Sequence, residues 1–349
     1  MTDAMQSNVT QRRKIGARDL EVTGLSLGTA PLGGLYRDLS DEDARATVDA
    51  AWRAGVRYFD TAPHYGNTLA EHRLGNALRH YPRDQYVLST KVGKRFVPRT
   101  TPFDAAHNPE GWQNPLPFEA VYDYTRDGIL RSFEDSQQRL GIVEIDILLI
   151  HDIGRVTHGE NNAHYWNQLT QGGGFRALDE LRASGAVKAL GLGVNEGAAI
   201  LEVMDAFDID CALLAGRYTL LEQMTLADLL PACEKRGVSI VLGGAFNSGI
   251  LARGVEGDLK FNYLAAPPEI IDRVARIERV CNAHNVPIAA AALQFPYAHP
   301  AVATVLTGAR SADEVRENAA SFERPIPPAL WSELREEGLL DARAPVPSS

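Results

Sequence analysis

The sequence has few of the features that mark secreted and membrane-spanning proteins. It contains only three cysteines in 349 residues, and no apolar run approaches the roughly 20 residues that a membrane-spanning helix needs. Cys211, Cys233 and Cys281 are widely spaced and odd in number, so they resemble neither a disulfide framework nor a set of metal ligands. These absences favour a protein of a reducing compartment, with no bound metal and no membrane span.

The sequence also lacks a block of basic residues. Its formal net charge of −10 is not offset by any cationic stretch, so no nucleic-acid or anionic-membrane partner is expected. The first residues, MTDAMQSNVTQRRK, are polar and have no apolar core of the kind found in secretory signals. We therefore expect a soluble, cytoplasmic protein with a polar N-terminal tail (1–13) and one domain (14–349).

From about residue 24 onward, short apolar runs alternate with helical patterns. Such alternation predicts βαβ units and a parallel sheet. Eight runs have the character of strands: 24–29, 57–60, 85–91, 144–151, 187–193, 209–214, 238–244 and 301–307. They are hydrophobic almost throughout rather than at every second residue, which is typical of strands that are covered on both faces.

Helix signals separate the strand-like runs. Ser40 is placed to cap the first helix, with Asp43 three residues later as its capping partner. Gly55 suits the left-handed position after the last turn of that helix. Another helix is predicted to begin after Thr125 and to end near Gly141.

Two segments lie outside the repeat. Residues 92–124 form a long connection that contains Pro, Gly and Asn, and a loop of that length in a compact domain is usually functional or mobile. The C-terminal part carries one more helix, at about 328–339. The even spacing of the eight alternations predicts a single-domain (β/α)8 TIM barrel, with a doubly wound open sheet as the alternative.

Four polar side chains are expected at one end of this barrel. Asp60 ends the second predicted strand, Lys91 the third and His151 the fourth, and Tyr65 follows Asp60 by five residues. Side chains at the carboxyl ends of barrel strands converge on the active-site face. Each of the four taken alone is more often a cap, a solvated charge or a structural residue, and their shared position is what favours a catalytic role.

The four residues have a chemical logic as a group. A phenol with a pKa of about 10 is a poor acid or base at neutral pH. A neighbouring ammonium stabilises the phenolate and is expected to lower the pKa of Tyr65, and an aspartate keeps the lysine charged and oriented. A neutral histidine can hydrogen-bond the same substrate oxygen. Tyr65 is therefore predicted to exchange a proton with a carbonyl or alcohol oxygen while hydride moves at the carbon.

The segments around these residues resemble a known family. The motifs FDTAPHYG (59–66), STK (89–91) and LLIHD (148–152) resemble those of the aldo-keto reductases, and the resemblance runs from KIGARDLEVTGL (14–25) to ENAASF (317–322). It implies a barrel fold and an NAD(P)-dependent oxidoreductase. The catalytic tetrad that it implies consists of Asp60, Tyr65, Lys91 and His151.

The same resemblance implies a cofactor site. Its residues would be Gly28, Thr29, Asn195, Phe246, Asn247, Ser248, Gly249, Gly308, Arg310, Glu314, Glu317 and Asn318. Asn195 would hold the carboxamide, Phe246 would stack on the nicotinamide ring, and residues 247–249 would form a pyrophosphate loop. The sequence departs from the family at two carboxamide contacts, because Val194 stands where Ser is common and Ala215 where Gln is common.

The cofactor is expected to be NAD, with NADP as the alternative. Family members that prefer NADP carry basic residues near the 2′-phosphate, whereas this chain has Gly308 and Glu314 at two such positions. A carboxylate there disfavours a phosphate and can accept a hydrogen bond from a ribose hydroxyl. Two competing interpretations are that Ser311 and Glu314 form a capping box, and that Arg310 binds the phosphate.

Within the family, the segments 59–66, 292–315 and 327–340 most resemble bacterial D-threo-aldose 1-dehydrogenases, also described as L-fucose dehydrogenases. That implies oxidation of an aldose of the L-fucose, D-arabinose or L-galactose type at C1 to its lactone, with Tyr65 accepting the proton. The alternatives are a pyridoxal 4-dehydrogenase, which also oxidises a cyclic hemiacetal, and a general aldehyde reductase. From other classes, a lyase using Lys91 as a Schiff base and a non-catalytic cofactor-binding subunit stay open.

The walls of the substrate pocket are expected to come from loops at the barrel mouth. His64, Tyr36, Trp112 and the 92–124 connection are the candidates for contact with a sugar or aldehyde.

Overall fold

Strands and helices alternate along the chain in the computed structural model, which describes residues 7–104, 108, 111–256 and 259–347. The strands are β1 (Arg12–Lys14), β2 (Glu21–Thr23), β3 (Leu25–Gly28), β4 (Tyr58–Asp60), β5 (Val87–Val92), β6 (Lys94–Pro98), β7 (Phe118–Tyr122), β8 (Ile147–His151), β9 (Ala189–Val194), β10 (Cys211–Ala215), β11 (Ser239–Gly243), β12 (Lys260–Phe261), β13 (Leu264–Ala265) and β14 (Val302–Gly308). The helices are α1 (Asp41–Arg53), α2 (Leu69–Leu78), α3 (Arg126–Leu140), α4 (Arg155–His158), α5 (Asn162–Thr170), α6 (Gly174–Ala183), α7 (Gly197–Ala206), α8 (Leu229–Arg236), α9 (Ile250–Arg253), α10 (Pro268–Ala283), α11 (Ile288–Tyr297), α12 (Ala312–Glu323) and α13 (Pro328–Glu336).

Eight parallel strands form a closed barrel in the order β3, β4, β5, β8, β9, β10, β11 and β14. These are the eight runs that the sequence predicts, and the pairing of β14 with β3 closes the ring. The predicted (β/α)8 barrel is therefore confirmed, and the open doubly wound sheet is excluded. Within β8 the side chains alternate between two apolar layers, because Ile147 and Leu149 pack with one buried cluster and Leu148 and Ile150 with the other. Burial on both faces explains the continuous hydrophobicity of these strands.

The N-terminal segment is part of the domain. Strand β1 pairs with β2 in an antiparallel hairpin, and Ile15 from its turn is fully buried in the same cluster as Ile147 and Leu149. Val9 is also buried, and its backbone N–H donates to Glu323 Oε1 at 3.0 Å. The predicted boundary between tail and domain at residue 13 thus falls inside β1, and residues 7–13 belong with the barrel.

The predicted helix ends are present. Ser40 Oγ accepts a hydrogen bond from the backbone N–H of Asp43 at 3.0 Å and donates one to the Asp43 carboxylate at 2.7 Å. Gly55 follows α1 with a φ of +92°, and Gly141 ends α3 with a φ of +62°. Thr125 caps α3 by accepting from Gly128 N at 3.2 Å. The extra C-terminal helix is α13.

The insertions contain more regular structure than the sequence indicates. The connection 92–124 folds back as an antiparallel hairpin of β6 and β7, with residues 105–107 and 109–110 outside the described part. A second hairpin, β12 with β13, follows β11, and the short helices α4 and α5 follow β8. No helix in the described ranges combines the length and apolar character needed to cross a membrane.

Candidate active site

The four predicted catalytic side chains meet at the carboxyl ends of adjacent strands. Successive side chains of a strand point to opposite faces, so residues two apart share a face. Tyr58 in β4 and Ile147 and Leu149 in β8 belong to one buried cluster, which places Asp60 and His151 on that same face. The register of the strands therefore carries these groups to one end of the barrel.

Lys91 is the centre of the hydrogen-bond network. Its ammonium donates to Asp60 Oδ2 at 2.7 Å, to the Thr61 carbonyl oxygen at 2.8 Å and to the Tyr65 hydroxyl at 3.0 Å. Asp60 accepts a further bond from Ser89 Oγ at 2.6 Å. The side chains of Lys91 and Asp60 are each only 1% exposed, so their charges are paired away from water.

The loop after β4 fixes Tyr65 by a close approach of two glycines. Gly66 has a φ of +63°, and a Cβ atom at this position would lie 2.3 Å from the carbonyl oxygen of Gly33. Only glycine tolerates both the backbone angle and this contact. The glycine of the FDTAPHYG motif thus allows the loop to turn sharply and to hold Tyr65 beside Lys91.

The ionisation of Tyr65 depends on opposing effects. Burial raises the pKa of Tyr65 well above its ordinary value, and the carboxylates of Asp60 and Asp152 raise it further. The hydrogen bond from Lys91 acts in the other direction, because it stabilises the phenolate. The net direction is upward, so the expectation that Lys91 leaves the phenol with a lowered pKa is wrong: desolvation outweighs the ammonium. Tyr65 rests as a neutral phenol at neutral pH.

His151 is a neutral imidazole beside this phenol. Burial lowers the pKa of His151 well below its ordinary value; Asp152 opposes that shift, and the lysines Lys91 and Lys94 add to it. The His151 ring lies edge-on to Tyr65, with ring centroids 6.1 Å apart. Its buried Nδ1 has no hydrogen-bond partner among the described residues. A neutral ring at this distance suits hydrogen bonding to a substrate oxygen held between the two side chains.

An aromatic wall faces the tetrad. Trp112, from the 92–124 connection, lies with its ring 6.1 Å from Tyr65 and 5.6 Å from His64 between centroids. The His64 ring is itself 5.7 Å from that of His151. Burial lowers the pKa of His64 to about 3, so this ring is neutral as well. The structure therefore places two of the predicted pocket residues, His64 and Trp112, at the mouth beside the tetrad.

A cavity of about 580 Å³ adjoins the mouth. Ten of the twelve predicted cofactor residues line it: Asn195, Phe246, Asn247, Ser248, Gly249, Gly308, Arg310, Glu314, Glu317 and Asn318. Tyr36, predicted for the substrate pocket, is also in this lining. Gly28 and Thr29 are not among the lining residues, but they lie at the end of β3 beside the tetrad, where Thr29 N donates to the Asp60 carbonyl oxygen at 2.9 Å.

The lining suits a nicotinamide dinucleotide on two observations. Asn247, Ser248 and Gly249 line the cavity with consecutive left-handed φ values of +45°, +61° and +104°, a tight loop in which the N–H groups of Asn247 and Gly249 donate to the carbonyl oxygens of Gly244 and Phe246. Asn247 Oδ1 and Thr29 Oγ1 are buried, and within the described chain neither has a hydrogen-bond partner. Such polar atoms are normally satisfied, so a polar ligand is the natural partner at this site.

Glu314 and Arg310 satisfy each other at one side of the cavity. The Glu314 carboxylate accepts from the Arg310 backbone N–H at 2.8 Å and from Arg310 Nη2 at 3.0 Å. The backbone N–H of Glu314 donates to Ser311 Oγ at 3.2 Å, so the predicted cap of α12 is also present. Glu314 therefore serves the helix end and also pairs with the guanidinium of Arg310.

Arg217 and Tyr263 are among the lining residues that the sequence analysis did not predict. Arg217 donates to the Asn195 carbonyl oxygen at 2.7 Å and to Asn262 Oδ1 at 2.9 Å, and it pairs with Glu222 at 2.9 Å. Tyr263 at the tip of the β12–β13 hairpin has a φ of +67° and hydrogen-bonds the Asn195 side chain. The only sequence signal for this turn is one asparagine, since strands of two residues carry no alternation.

A closed parallel barrel with an Asp–Tyr–Lys–His cluster at the carboxyl ends of its strands and an adjoining cavity is the architecture of an NAD(P)-dependent oxidoreductase. Residues 24–337 match the Aldo/keto reductase family, and the chain belongs to that family. It is 50% identical over 342 residues to a pyridoxal 4-dehydrogenase from Microbacterium luteolum, covering 96% of this chain and all of the relative.

Two further comparisons agree with this assignment. The chain is 39% identical over 329 residues to a D-threo-aldose 1-dehydrogenase from a Pseudomonas species, covering 93% of this chain and 96% of the relative. The structure of an aldo-keto reductase from Bacillus halodurans (AKR11C1, holo form) superposes with a TM-score of 0.71 at 25% identity, covering 96% of this chain and 98% of that one. The resemblance to aldose dehydrogenases is therefore confirmed, although the pyridoxal 4-dehydrogenase is the more similar of the two relatives.

Proposed function

We propose that the protein oxidises a cyclic hemiacetal to the corresponding lactone, with NAD as the hydride acceptor and Tyr65 as the proton acceptor. The observation that carries the proposal is the buried Lys91 ammonium, which holds the Tyr65 hydroxyl at 3.0 Å beside the neutral ring of His151. A hemiacetal hydroxyl placed between Tyr65 and His151 would find a proton acceptor and a hydrogen-bonding partner on one oxygen.

In this reaction a protein side chain accepts the proton, and the cofactor accepts the hydride. The hydroxyl proton passes to Tyr65 as the carbonyl forms, and the carbon–hydrogen bond breaks with its electron pair. A bound nicotinamide supplies C4 as the acceptor of that hydride. The balance is a hemiacetal and oxidised cofactor giving a lactone, reduced cofactor and one proton. Because Tyr65 must be a phenolate to accept the proton, Lys91 contributes by stabilising that anion.

Two substrates fit this reaction. The 50% identity to a pyridoxal 4-dehydrogenase supports pyridoxal, which forms an internal hemiacetal in water. The 39% identity to a D-threo-aldose 1-dehydrogenase supports an aldose, which reacts at its hemiacetal carbon C1. The sequence analysis favoured the aldose, and the higher identity moves pyridoxal ahead of it. Both are small polar rings, and the aromatic face of Trp112 at the mouth suits either.

The preference for NAD rests on the pair at the start of α12. Arg310 is the cation placed to attract a 2′-phosphate, and its guanidinium is already bound by Glu314 at 3.0 Å. A phosphate would have to displace a carboxylate or sit beside it, and like charges repel. The 2′-hydroxyl of NAD is uncharged, so it neither has to displace the Glu314 carboxylate nor is repelled by it.

A lyase that uses Lys91 as a Schiff base is disfavoured by geometry. A Schiff base requires a neutral amine with a free lone pair, whereas an ammonium has three hydrogens and no acceptor. Lys91 has three hydrogen bonds, to Asp60, Thr61 and Tyr65, which use all three hydrogens of the ammonium form. The Asp60 carboxylate accepts one of these bonds at 2.7 Å.

A panel of rates tests the proposal. The purified protein is given pyridoxal, L-fucose, D-arabinose, L-galactose and simple aldehydes, each with NAD and with NADP, and formation or loss of reduced cofactor is followed by absorbance. We expect oxidation of at least one hemiacetal with a higher kcat/KM for NAD, and lactone as the product by mass spectrometry. Fast reduction of simple aldehydes with no oxidation of any hemiacetal would instead identify a general aldehyde reductase.

A further inference from the structure

Asp152 is a charged residue at the mouth that the tetrad does not use. It follows His151 at the end of β8, and its Oδ2 lies 3.5 Å from His151 Nε2. Its φ of +52° is left-handed, a conformation that aspartate and asparagine tolerate better than most side chains. The side chain is 23% exposed, compared with 7% for His151, so Asp152 is the more accessible of the two.

Lys94 holds this carboxylate in place. Its ammonium donates to Asp152 Oδ2 at 2.6 Å, and the lysine side chain is only 3% exposed. Lys94 begins β6, and its Nζ lies 5.3 Å from the centroid of the Tyr122 ring on the paired strand β7. The hairpin inside the 92–124 connection therefore delivers a buried cation to the substrate side of the barrel.

Asp152 is ionised there. Burial alone would raise the pKa of Asp152, but the ion pair and hydrogen bond with Lys94 oppose it, and that pKa lies well below its ordinary value. The carboxylate in turn acts on several neighbours, raising the pKa of Tyr65 and opposing the lowering of the pKa of His64. These influences place the negative charge within range of the reacting phenol.

We infer that Asp152 is a specificity-determining residue whose carboxylate accepts a hydrogen bond from a substrate hydroxyl next to the reacting carbon. A reacting oxygen hydrogen-bonded to His151 Nε2 lies close to this carboxylate, because the same nitrogen is 3.5 Å from Asp152 Oδ2. A second hydroxyl on a neighbouring ring carbon spans that short gap. Lys94 and His151 both approach Oδ2, so Oδ1 is the oxygen that we assign to the ligand.

The chemistry of the aldose fits, because its 2-hydroxyl is bonded to the carbon next to C1 and can donate to a carboxylate. Pyridoxal fits less well, because its phenolic oxygen is two carbons from the reacting carbon and is ionised at neutral pH, so it has no proton to donate. The inference rests on the proposed hemiacetal oxidation, and it narrows the substrate to hemiacetals with an adjacent hydroxyl. In the alternative role, Asp152 only orients His151. Its effect on the rate would then not depend on whether the substrate carries the second hydroxyl.

The test compares matched substrates in matched variants. The parent substrate is an aldose, and its partner is the 2-deoxy sugar. Asp152→Gly removes the acceptor, and Asp152→Asn removes the charge; both residues tolerate the left-handed backbone. Asp123→Asn is the control, because Asp123 pairs with Arg95 on the same hairpin at 3.1 Å, and asparagine keeps its Oδ1 acceptor for Thr125.

In the wild type and in Asp123→Asn, we expect loss of the substrate hydroxyl to lower kcat/KM by roughly 10- to 150-fold, the range for a hydrogen bond to a charged group. In Asp152→Gly the parent and deoxy substrates should react at nearly equal rates, with Asp152→Asn in between. Thermal unfolding and quenching of tryptophan fluorescence by the cofactor check that each variant is folded. If Asp152→Gly does not fold, the Asp152→Asn ratio decides.

An equal fall in kcat/KM for parent and deoxy substrates would overturn the inference, because it would mean that Asp152 acts only through His151. A wild type that oxidises the aldose and its 2-deoxy partner equally well, or that oxidises pyridoxal and no aldose, would overturn it as well, while leaving the proposed function intact. A wild type that oxidises no hemiacetal at all would overturn the proposed function itself.

Discussion

At the scale of single residues, the pKa of Tyr65 depends on burial and on its charged neighbours. Burial and the carboxylate of Asp60 favour the neutral phenol, whereas the ammonium of Lys91 favours the phenolate. Asp60 therefore has a mixed effect: it disfavours the phenolate directly and supports it by keeping Lys91 charged and aimed. The hydrogen bond from Lys91 to Asp60, at 2.7 Å, orients the ammonium so that it also donates to the Tyr65 hydroxyl at 3.0 Å.

Tyr65→Phe removes the proton acceptor while keeping the ring. We expect kcat to fall on the order of 10²–10⁴-fold, the usual contribution of general acid–base catalysis. The cofactor Kd, measured by fluorescence titration, should change little because Tyr65 is not in the lining of the cofactor cavity. Near wild-type turnover under chemistry-limited conditions would show that another group carries the proton.

Lys91→Met removes the charge that stabilises the phenolate. Oxidation requires the deprotonated phenol, so kcat/KM rises with pH through the pKa of Tyr65, and loss of the ammonium should move that limb to higher pH. The pH–rate profile is the measurement. Because the single variant leaves the Asp60 carboxylate buried and unpaired, the double variant with Asp60→Asn is the control for folding. An unmoved limb would mean that Lys91 does not tune Tyr65.

The sequence was sufficient to predict the common location of the residues at the ends of strands. Asp60, Lys91 and His151 follow directly from apolar runs, so their common location could be inferred from the barrel alone. Asp152 adjoins His151 in the sequence, but its partner Lys94 lies 58 residues away on a hairpin. No sequence pattern around either residue predicts the 2.6 Å contact between them. The raised pKa of Tyr65 could not be foreseen either, because desolvation depends on what surrounds the ring in three dimensions.

At the scale of elements, the sequence predicted the barrel strands but not the two hairpins, β6–β7 and β12–β13. Strand β12 consists of two residues, and β6 is built from Lys94 to Pro98, with charged side chains at its start. Neither has the apolar alternation that identifies a strand covered on one face. The tip of the β12–β13 hairpin is held by tertiary bonds instead, from Tyr263 N to Ser248 Oγ at 3.0 Å and from Arg217 to Asn262.

The contact between Arg310 and Glu314 at the first turn of α12 leads to a prediction about the choice between NAD and NADP. Glu314→Gln removes the charge that neutralises Arg310 and keeps a side chain able to complete the cap. We expect the ratio of kcat/KM for NADP to that for NAD to rise, and Arg310→Ala in that background to cancel the gain. Asp313→Asn is the matched control, because Asp313 lies in the same turn but pairs with Arg316. A silent Glu314→Gln would restrict Glu314 to the helix cap.

At the scale of the whole molecule, the buried core contains several histidines that are neutral in the folded state. Burial lowers the pKa of His299 to about 4, and burial with nearby positive charges lowers that of His64 to about 3. The pKa of His151 lies well below its ordinary value. In the unfolded chain each returns to about 6.5. The unfolded state therefore binds more protons than the folded state at mildly acidic pH.

The free energy of unfolding should consequently fall as the pH drops below about 6.5 and continue to fall toward about 4. Each such histidine contributes at most about 1.4 kcal/mol per pH unit in that window, and its contribution is fully present above the unfolded pKa. Urea denaturation at a series of pH values measures the slope. His299→Gln should reduce the slope without changing activity, because His299 comes just before β14 and so lies at the amino-terminal end of the barrel strands, whereas the tetrad lies at their carboxyl ends. A denaturation midpoint that stays constant between about pH 7 and pH 5 would contradict the assignment of neutral buried histidines.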